Sequence, residues 1–346
     1  MPKKKIRIDL ALQGGGAHGA FTWGVLERLL EDARIDIAGV SGASAGAMNA
    51  AVLAHGLATG GRAGAQRALW AFWKGVSRAA TGGIVPSDLF GGFFAPWSPA
   101  TWAKPFLAAS KAMMSPYQFN PLNVNPLRRL LEDQIDFAAL TDPAAPRLFV
   151  SATDVRSGRT RLFRNDDLSA DALMASACLP MLFQAVEIGE DAYWDGGYTA
   201  NPSILPLIEE SPANDLMLVT VNPSRREEVP KTPGDIVGRL NEITFNTNLV
   251  SQMRSVAILR QQLELDRAPP ARYSQTLFRQ VEKLRVHRIH DDAQMAGKGS
   301  HSKMNTEWRF LIRLHGIGWR AADTWLAAHG GDLGKRSSLD LAATYC

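Results

Sequence analysis

The chain has 346 residues, 46% of them hydrophobic and 21% charged, with a net charge of +4. This is the composition of a soluble globular protein, long enough for one large domain plus an extension. No run approaches the ~18–20 apolar residues that span a bilayer, and two cysteines, Cys178 and Cys346, exclude a disulfide framework.

Met1-Pro2-Lys3-Lys4-Lys5 resembles the start of an export signal, but Arg7 and Asp9 interrupt the apolar run that should follow, so a cytoplasmic location is expected. Ile6, Ile8, Leu10 and Leu12 alternate and predict a strand over 6–13, which glycines 14–16 break. A helix follows over 17–32, with Phe21, Val25 and Leu29 on one face. Residues 35–41 read as a second strand, and a small-residue helix covers 45–54. Strand–helix–strand–helix at the start of a chain implies a parallel sheet covered on both faces. Leu69, Phe72, Trp73 and Val76 mark another helix face. The stretch 77–125 is rich in Gly, Pro and aromatic residues without periodicity, and reads as an apolar cap.

Asn125-Pro126 opens a helix to about 133. Residues 147–154 and 159–163 read as strands, 167–177 as a short helix stopped by Pro180, and 186–188 with 192–194 as a hairpin ending in Asp195-Gly196-Gly197. Leu216 to Val221 reads as the last strand of the sheet. A long helix over 233–266, helical turns at 275–284, a short strand at 286–289, a mobile Gly/Ser/Lys-rich stretch at 291–305 and an amphipathic helix over 306–328 complete the chain. The expected fold is therefore α/β: a three-layer sandwich with a mostly parallel central sheet, plus a C-terminal mainly helical extension. The expected boundary lies at 222/223, giving a main domain (1–222, cap at 77–125) and an extension (223–346). Residues 225–346 hold 19 Lys/Arg against 13 Asp/Glu, a balance of +6, leaving −2 for the rest. That bias reads as solvated helix faces, compatible with peripheral membrane contact; no nucleic acid is expected.

Three glycine-marked sites need one explanation. Val40-Ser41-Gly42-Ala43-Ser44-Ala45-Gly46 fits a serine on a sharp strand-to-helix turn, where Gly42 and Gly46 keep the approach free of side chains. Gly14-Gly15-Gly16-Ala17-His18-Gly19 follows the first strand, so in a parallel sheet it lies beside that serine at the carboxyl edge. Its bare amides, with the Ala45 N–H, suit an oxyanion hole. The same loop also fits the dinucleotide fingerprint, with Asp36 about 20 residues on, but Asp36 enters the second strand rather than ending it. For the base, a Ser44–Asp195–His order built with His287 or His290 is one option. Those histidines lie beyond the expected end of the sheet, which leaves Asp195 of the Asp-Gly-Gly motif as a direct partner. Asp-Gly-Gly alone is more often a hairpin turn; the other two motifs favour the catalytic reading.

These three motifs, in this order, resemble the patatin-like phospholipases, as do Ser176-Ala177-Cys178-Leu179-Pro180 and Tyr193-Trp194-Asp195-Gly196-Gly197-Tyr198. The resemblance covers about residues 8–222. It implies a Ser–Asp dyad without histidine or metal, with Ser44 as nucleophile, Asp195 as proton acceptor, and Gly14, Gly15, Gly16 and Ala45 around the oxyanion. It implies a lipid or other acyl ester as substrate and no cofactor. Many members carry Arg or Lys where this chain has His18. Transfer of the acyl group to an alcohol or thiol, and a non-catalytic lipid- or nucleotide-binding module, are the alternatives.

Overall fold

The computed structural model describes residues 5–81, 115–266, 276–296, 298 and 300–346. The chain opens with β1 (Ile6–Leu12), α1 (Gly19–Glu31), β2 (Ile35–Gly42) and α2 (Ala45–Thr81). The two helices expected at 45–54 and around 69–76 are one kinked element, bent at Gly60 and Gly61, where Gly61 takes φ 59. Of the expected cap, residues 82–114 lie outside the described residues. The chain continues with α3 (Pro126–Gln134), whose Asn125 side chain accepts the Leu127 N–H as expected of an N-cap. Then come β3 (Arg147–Asp154), β4 (Thr160–Arg164), α4 (Ala170–Ser176), β5 (Val186–Ile188), β6 (Asp191–Asp195), α5 (Leu205–Glu210) and β7 (Asp215–Val219). The last part holds α6 (Pro233–Asp266), α7 (Thr276–Lys283), β8 (Arg285–Ile289), α8 (Asp292–Ala296), a 3-10 turn (Ser300–Met304), α9 (Trp308–His329) and α10 (Leu341–Tyr345).

All eight strands form one sheet, ordered β5-β6-β3-β2-β1-β7-β8, with β4 also paired to β3. The pairs β3–β2, β2–β1, β1–β7 and β7–β8 are parallel; β4, β5 and β6 add antiparallel pairs. β7 is thus not the last strand. β8 follows it in parallel, because Val286 and Ile289 bury apolar side chains on opposite faces of the sheet.

The layers follow from the two-residue period of a strand. Ile8, Leu10, Leu12, Met217 and Val219 enter one core with Phe21, Leu26, Leu53 and Leu314 of α1, α2 and α9. Their neighbours Ala11, Leu216 and Leu218 enter a second core with Leu207, Met253 and Val281 of α5, α6 and α7. Helices on both faces of a mostly parallel sheet are the α/β three-layer sandwich, and the C-terminal part is mainly helical while lending it β8. One stretch expected to be mobile is otherwise: within 291–305, α8 and the Ser300–Met304 turn are formed, and that turn packs on the loop after β1.

Candidate active site

Register defines an edge. Leu12, Gly42 and Val219 pair across β2, β1 and β7, so the glycine loop, the serine turn and residues 220–222 leave the sheet side by side. This carboxyl edge is where open parallel sheets bind ligands.

At the serine turn the chain passes from Gly42 of β2 to Ala45 of α2 in two residues, and Ser44 takes φ 54. That left-handed conformation is uncommon for serine and costs free energy. Ser44 N–H offsets part of it by donating to Ser176, with the carbonyl oxygen at 3.1 Å and Oγ at 2.9 Å. Gly46 must lack a side chain, because a Cβ there would run into the Leu12 carbonyl.

Asp195 reaches the same place by strand pairing. Ala152 and Thr153 pair with Arg161 and Thr160 of β4, which occupies one edge of β3. β2 uses the other edge as far as Gly42↔Val150. A strand has only two edges, so β6, pairing through Asp195↔Ala152, must continue the edge that β2 vacates. Asp195 therefore stands just beyond the end of β2, where the Ser44 turn begins. One segment ties both residues down: Ser176 accepts from Ser44 N–H, and the Cys178 carbonyl accepts from Asp195 N–H at 2.8 Å. Gly196 and Gly197 follow in a tight turn; Cβ atoms there would meet Ser151 and Phe245.

The Asp195 carboxyl is fully buried. Oδ1 accepts the Gly197 N–H at 2.7 Å, and Oδ2 has no hydrogen-bond partner among the described residues. Burial pushes its pKa up from 3.8 to about 7, although the Gly197 N–H, the Ser44 hydroxyl and the Lys303 charge pull the other way. The Ser44 hydroxyl is among the groups that favour the carboxylate, while Oδ2 is left without a hydrogen bond among the described residues. Such loose geometry is common before substrate binds.

The glycine loop lies against this pair. A Cβ on Gly14 would stand 2.6 Å from the Ala43 carbonyl and 2.9 Å from Ser44 Cβ, so only glycine allows the approach. Gly14 N–H, expected to face an oxyanion, instead donates to Asn201 Oδ1 at 2.7 Å. That amide is committed to holding the loop. Gly15 leads into the Gly16–His18 turn, Ala17 is buried, and Gly19 starts α1. Ala45 is the first residue of α2, so its N–H has no acceptor within the helix.

Polar residues at the ends of two strands brace the loop. Gln13 Oε1 accepts from the N–H groups of Val221 and Asn222, and Gln13 Nε2 donates to Asn246. Asn222 Nδ2 donates to the Gly14 carbonyl at 3.3 Å. Gln13 and Asn222 were findable, since one is the polar last residue of a predicted strand and the other directly follows one, both at the ligand-binding edge. Nothing local marked Asn201 or Lys303.

The alternatives meet specific obstacles. Asp36 is the second residue of β2 and pairs with Arg7, about 20 Å along the strand from the glycine loop at ~3.3 Å per residue. His287 directs Nε2 to Asp215 and Nδ1 to Ser338, at 3.1 and 3.0 Å, and His290 faces Asp292 at 3.2 Å. Cys178 is buried, its thiol pKa pushed up to about 12.

Residues 10–208 match the family model described as patatin-like phospholipase. No curated protein matches the chain. Among solved structures, VipD from Legionella pneumophila aligns at 15% identity and a TM-score of 0.42, over 95% of this chain and 67% of that one. The ExoU–SpcU complex from Pseudomonas aeruginosa aligns at 16% identity and 0.29, over 96% and 78%. Neither likeness is close enough to transfer structural detail.

Proposed function

With the family model covering more than half of it, this chain belongs to the patatin-like phospholipase family, and we propose that it hydrolyses fatty-acyl esters of lipids through Ser44 and Asp195. The observation that supports the proposal is the edge of β3 shared by β2 and β6, from which a strained serine and a buried carboxylate leave the sheet side by side. Asp195 accepts the Ser44 proton as Oγ attacks the ester carbonyl. The oxyanion forms against the N–H groups of Gly15, Gly16 and Ala45. Asp195 then protonates the departing alcohol, and the acyl-enzyme is released by a water whose proton Asp195 takes in turn, restoring Ser44.

A carboxylate of ordinary pKa, ~3.9, is a poor base for this task. Burial raises Asp195 to about 7, close to working pH, where general-base catalysis is most effective. No helix among the described residues is long and apolar enough to cross a membrane.

The test offers a mixed panel of phospholipids, lysophospholipids, neutral lipids and storage polyesters, with products identified by mass spectrometry. We expect free fatty acid from wild type, a loss of about 10³-fold or more in Ser44→Ala, and of ~10²–10⁴ in Asp195→Asn. Acyl groups appearing on added glycerol or thiol instead would assign transfer. Turnover unchanged in Ser44→Ala would defeat both.

A further inference from the structure

The glycine loop carries no cation of its own. His18, its only ionisable side chain, is 2% exposed. Its Nε2 lies 2.7 Å from Ser302 Oγ, and its Nδ1 has no partner among the described residues. Burial, with the nearby charges of Lys303 and Lys298, pushes its pKa down to about 3. Burial thus favours the neutral imidazole.

A cation reaches the loop from the other end of the chain. The Ser300–Met304 turn lies on it, 284 positions away along the sequence at the His18–Ser302 contact. The Lys303 carbonyl occupies the space that a Gly16 side chain would need. From there the side chain runs inward: Nζ donates to Asn222 Oδ1 at 2.7 Å, and Asn222 Nδ2 donates to the Gly14 carbonyl. Nζ also stands 6.0 Å from the centroid of Phe245, whose ring edge closes on Gly197. The ammonium is thus tied to the loop beside Ser44 through Asn222, and faces, at 6.0 Å, the Phe245 ring that covers Gly197.

We propose that Lys303 is a positioning residue of the reaction: its ammonium, delivered onto the glycine loop by the 300–304 turn, supplies the positive field in which Asp195 takes the Ser44 proton and the oxyanion forms. This rests on the hydrolase reading above. Lys303 and Asp195 each favour the other's charged form. Glu242 of α6 also favours the ammonium but is bound by Arg226 and by Arg239. Arg226 opposes it, and His18 is neutral. Tyr198 and Cys178 are held neutral near Asp195, both pushed up to about 12. Burial lowers Lys303 itself to about 8, so its charge is lost in mildly alkaline solution.

The signs follow. The base works above the Asp195 pKa, and the field persists below the Lys303 pKa, so kcat/KM on a neutral, short-chain p-nitrophenyl ester should be bell-shaped with limbs near 7 and 8. Lys303→Met should lower kcat roughly tenfold or more with KM nearly unchanged, move the acidic limb to higher pH and abolish the basic one. Lys303→Arg should restore most of the rate and carry it past the basic limb, since guanidinium stays charged. A Lys303→Met enzyme with the wild-type rate and profile overturns the proposal. So does equal loss in Met and Arg variants with both limbs in place, the mark of a purely structural anchor. Should Lys303→Met lack a native near-UV spectrum, the Arg variant decides: loss of the basic limb supports the proposal, retention overturns it. Ser44→Ala runs alongside. Hydrolysis surviving there defeats the hydrolase reading, whereas hydrolysis lost there but untouched in Lys303→Met defeats only the role of Lys303.

Discussion

Serine and aspartate are short side chains, so neither can search for the other; backbone has to deliver both. At Ser44 the delivery is local, a positive φ imposed by the turn, and a turn writes itself into sequence through its flanking glycines. The same holds for the Gly14–Gly16 loop and for Gly196 and Gly197, where close approach forbids a side chain. Ser176 stood inside a segment that drew notice, but its bond to Ser44 N–H depends on tertiary approach and left no local trace. Asn201, which takes the Gly14 amide away from any oxyanion, is equally silent. Burial of Asp195 also sets a stability trend. Its folded pKa of about 7 lies above the ordinary 3.8, so the folded state holds a proton that the unfolded chain releases between those values. Stability from this group falls as pH rises through that window and is level above it. Asp195→Asn removes the dependence and keeps an acceptor for the Gly197 N–H. Thermal unfolding should find the variant gaining on wild type from pH 4.5 to 7, with a constant advantage above. A variant that loses ground to wild type as pH rises would contradict the assignment.

Elements were legible where apolar spacing was regular, as in β1, α1 and β7. They were less so where composition mimics a loop: within the Gly/Ser/Lys-rich stretch 291–305, the 300–304 turn is ordered because it covers the glycine loop, a partner no local pattern reveals. Helix α9 shows what such long-range contacts require. It packs on α1 so closely that a Cβ on Gly24 would meet the His315 carbonyl and one on Gly318 the Phe21 carbonyl. Trp23 stacks on Trp308 at 6.1 Å, and His315 reaches Glu27 at 2.6 Å along the same seam. Backbone carbonyls cannot swing aside as side chains do. Gly318→Ala should therefore destabilise the protein by about 1–3 kcal/mol, the usual cost of overpacking, read as a lower midpoint in urea at unchanged m. An unchanged midpoint would mean that the helices separate at little cost.

Across the whole molecule, parts remote in sequence converge on one sheet edge. Residues 6–46 bring the nucleophile turn and glycine loop, 176–201 the carboxylate with its struts, and 222 and 303 the brace and the cation. β8 and α9 join the same sheet and core as β1 and α1, so the expected 222/223 boundary runs between neighbouring strands. The strand–helix–strand–helix order of the first 54 residues announced a parallel sheet covered on both faces. It gave no means of placing β8, because five residues with two basic side chains resemble a surface segment until β7 offers an edge. The most direct test of the account is intact-protein mass spectrometry after exposure to a fluorophosphonate at pH 7.5. It should show one adduct, mapped by peptide digestion to Ser44, formed roughly 10² times more slowly or worse in Asp195→Asn and absent in Ser44→Ala. A stoichiometric adduct that persists in Ser44→Ala, or a labelling rate indifferent to Asp195, would contradict it.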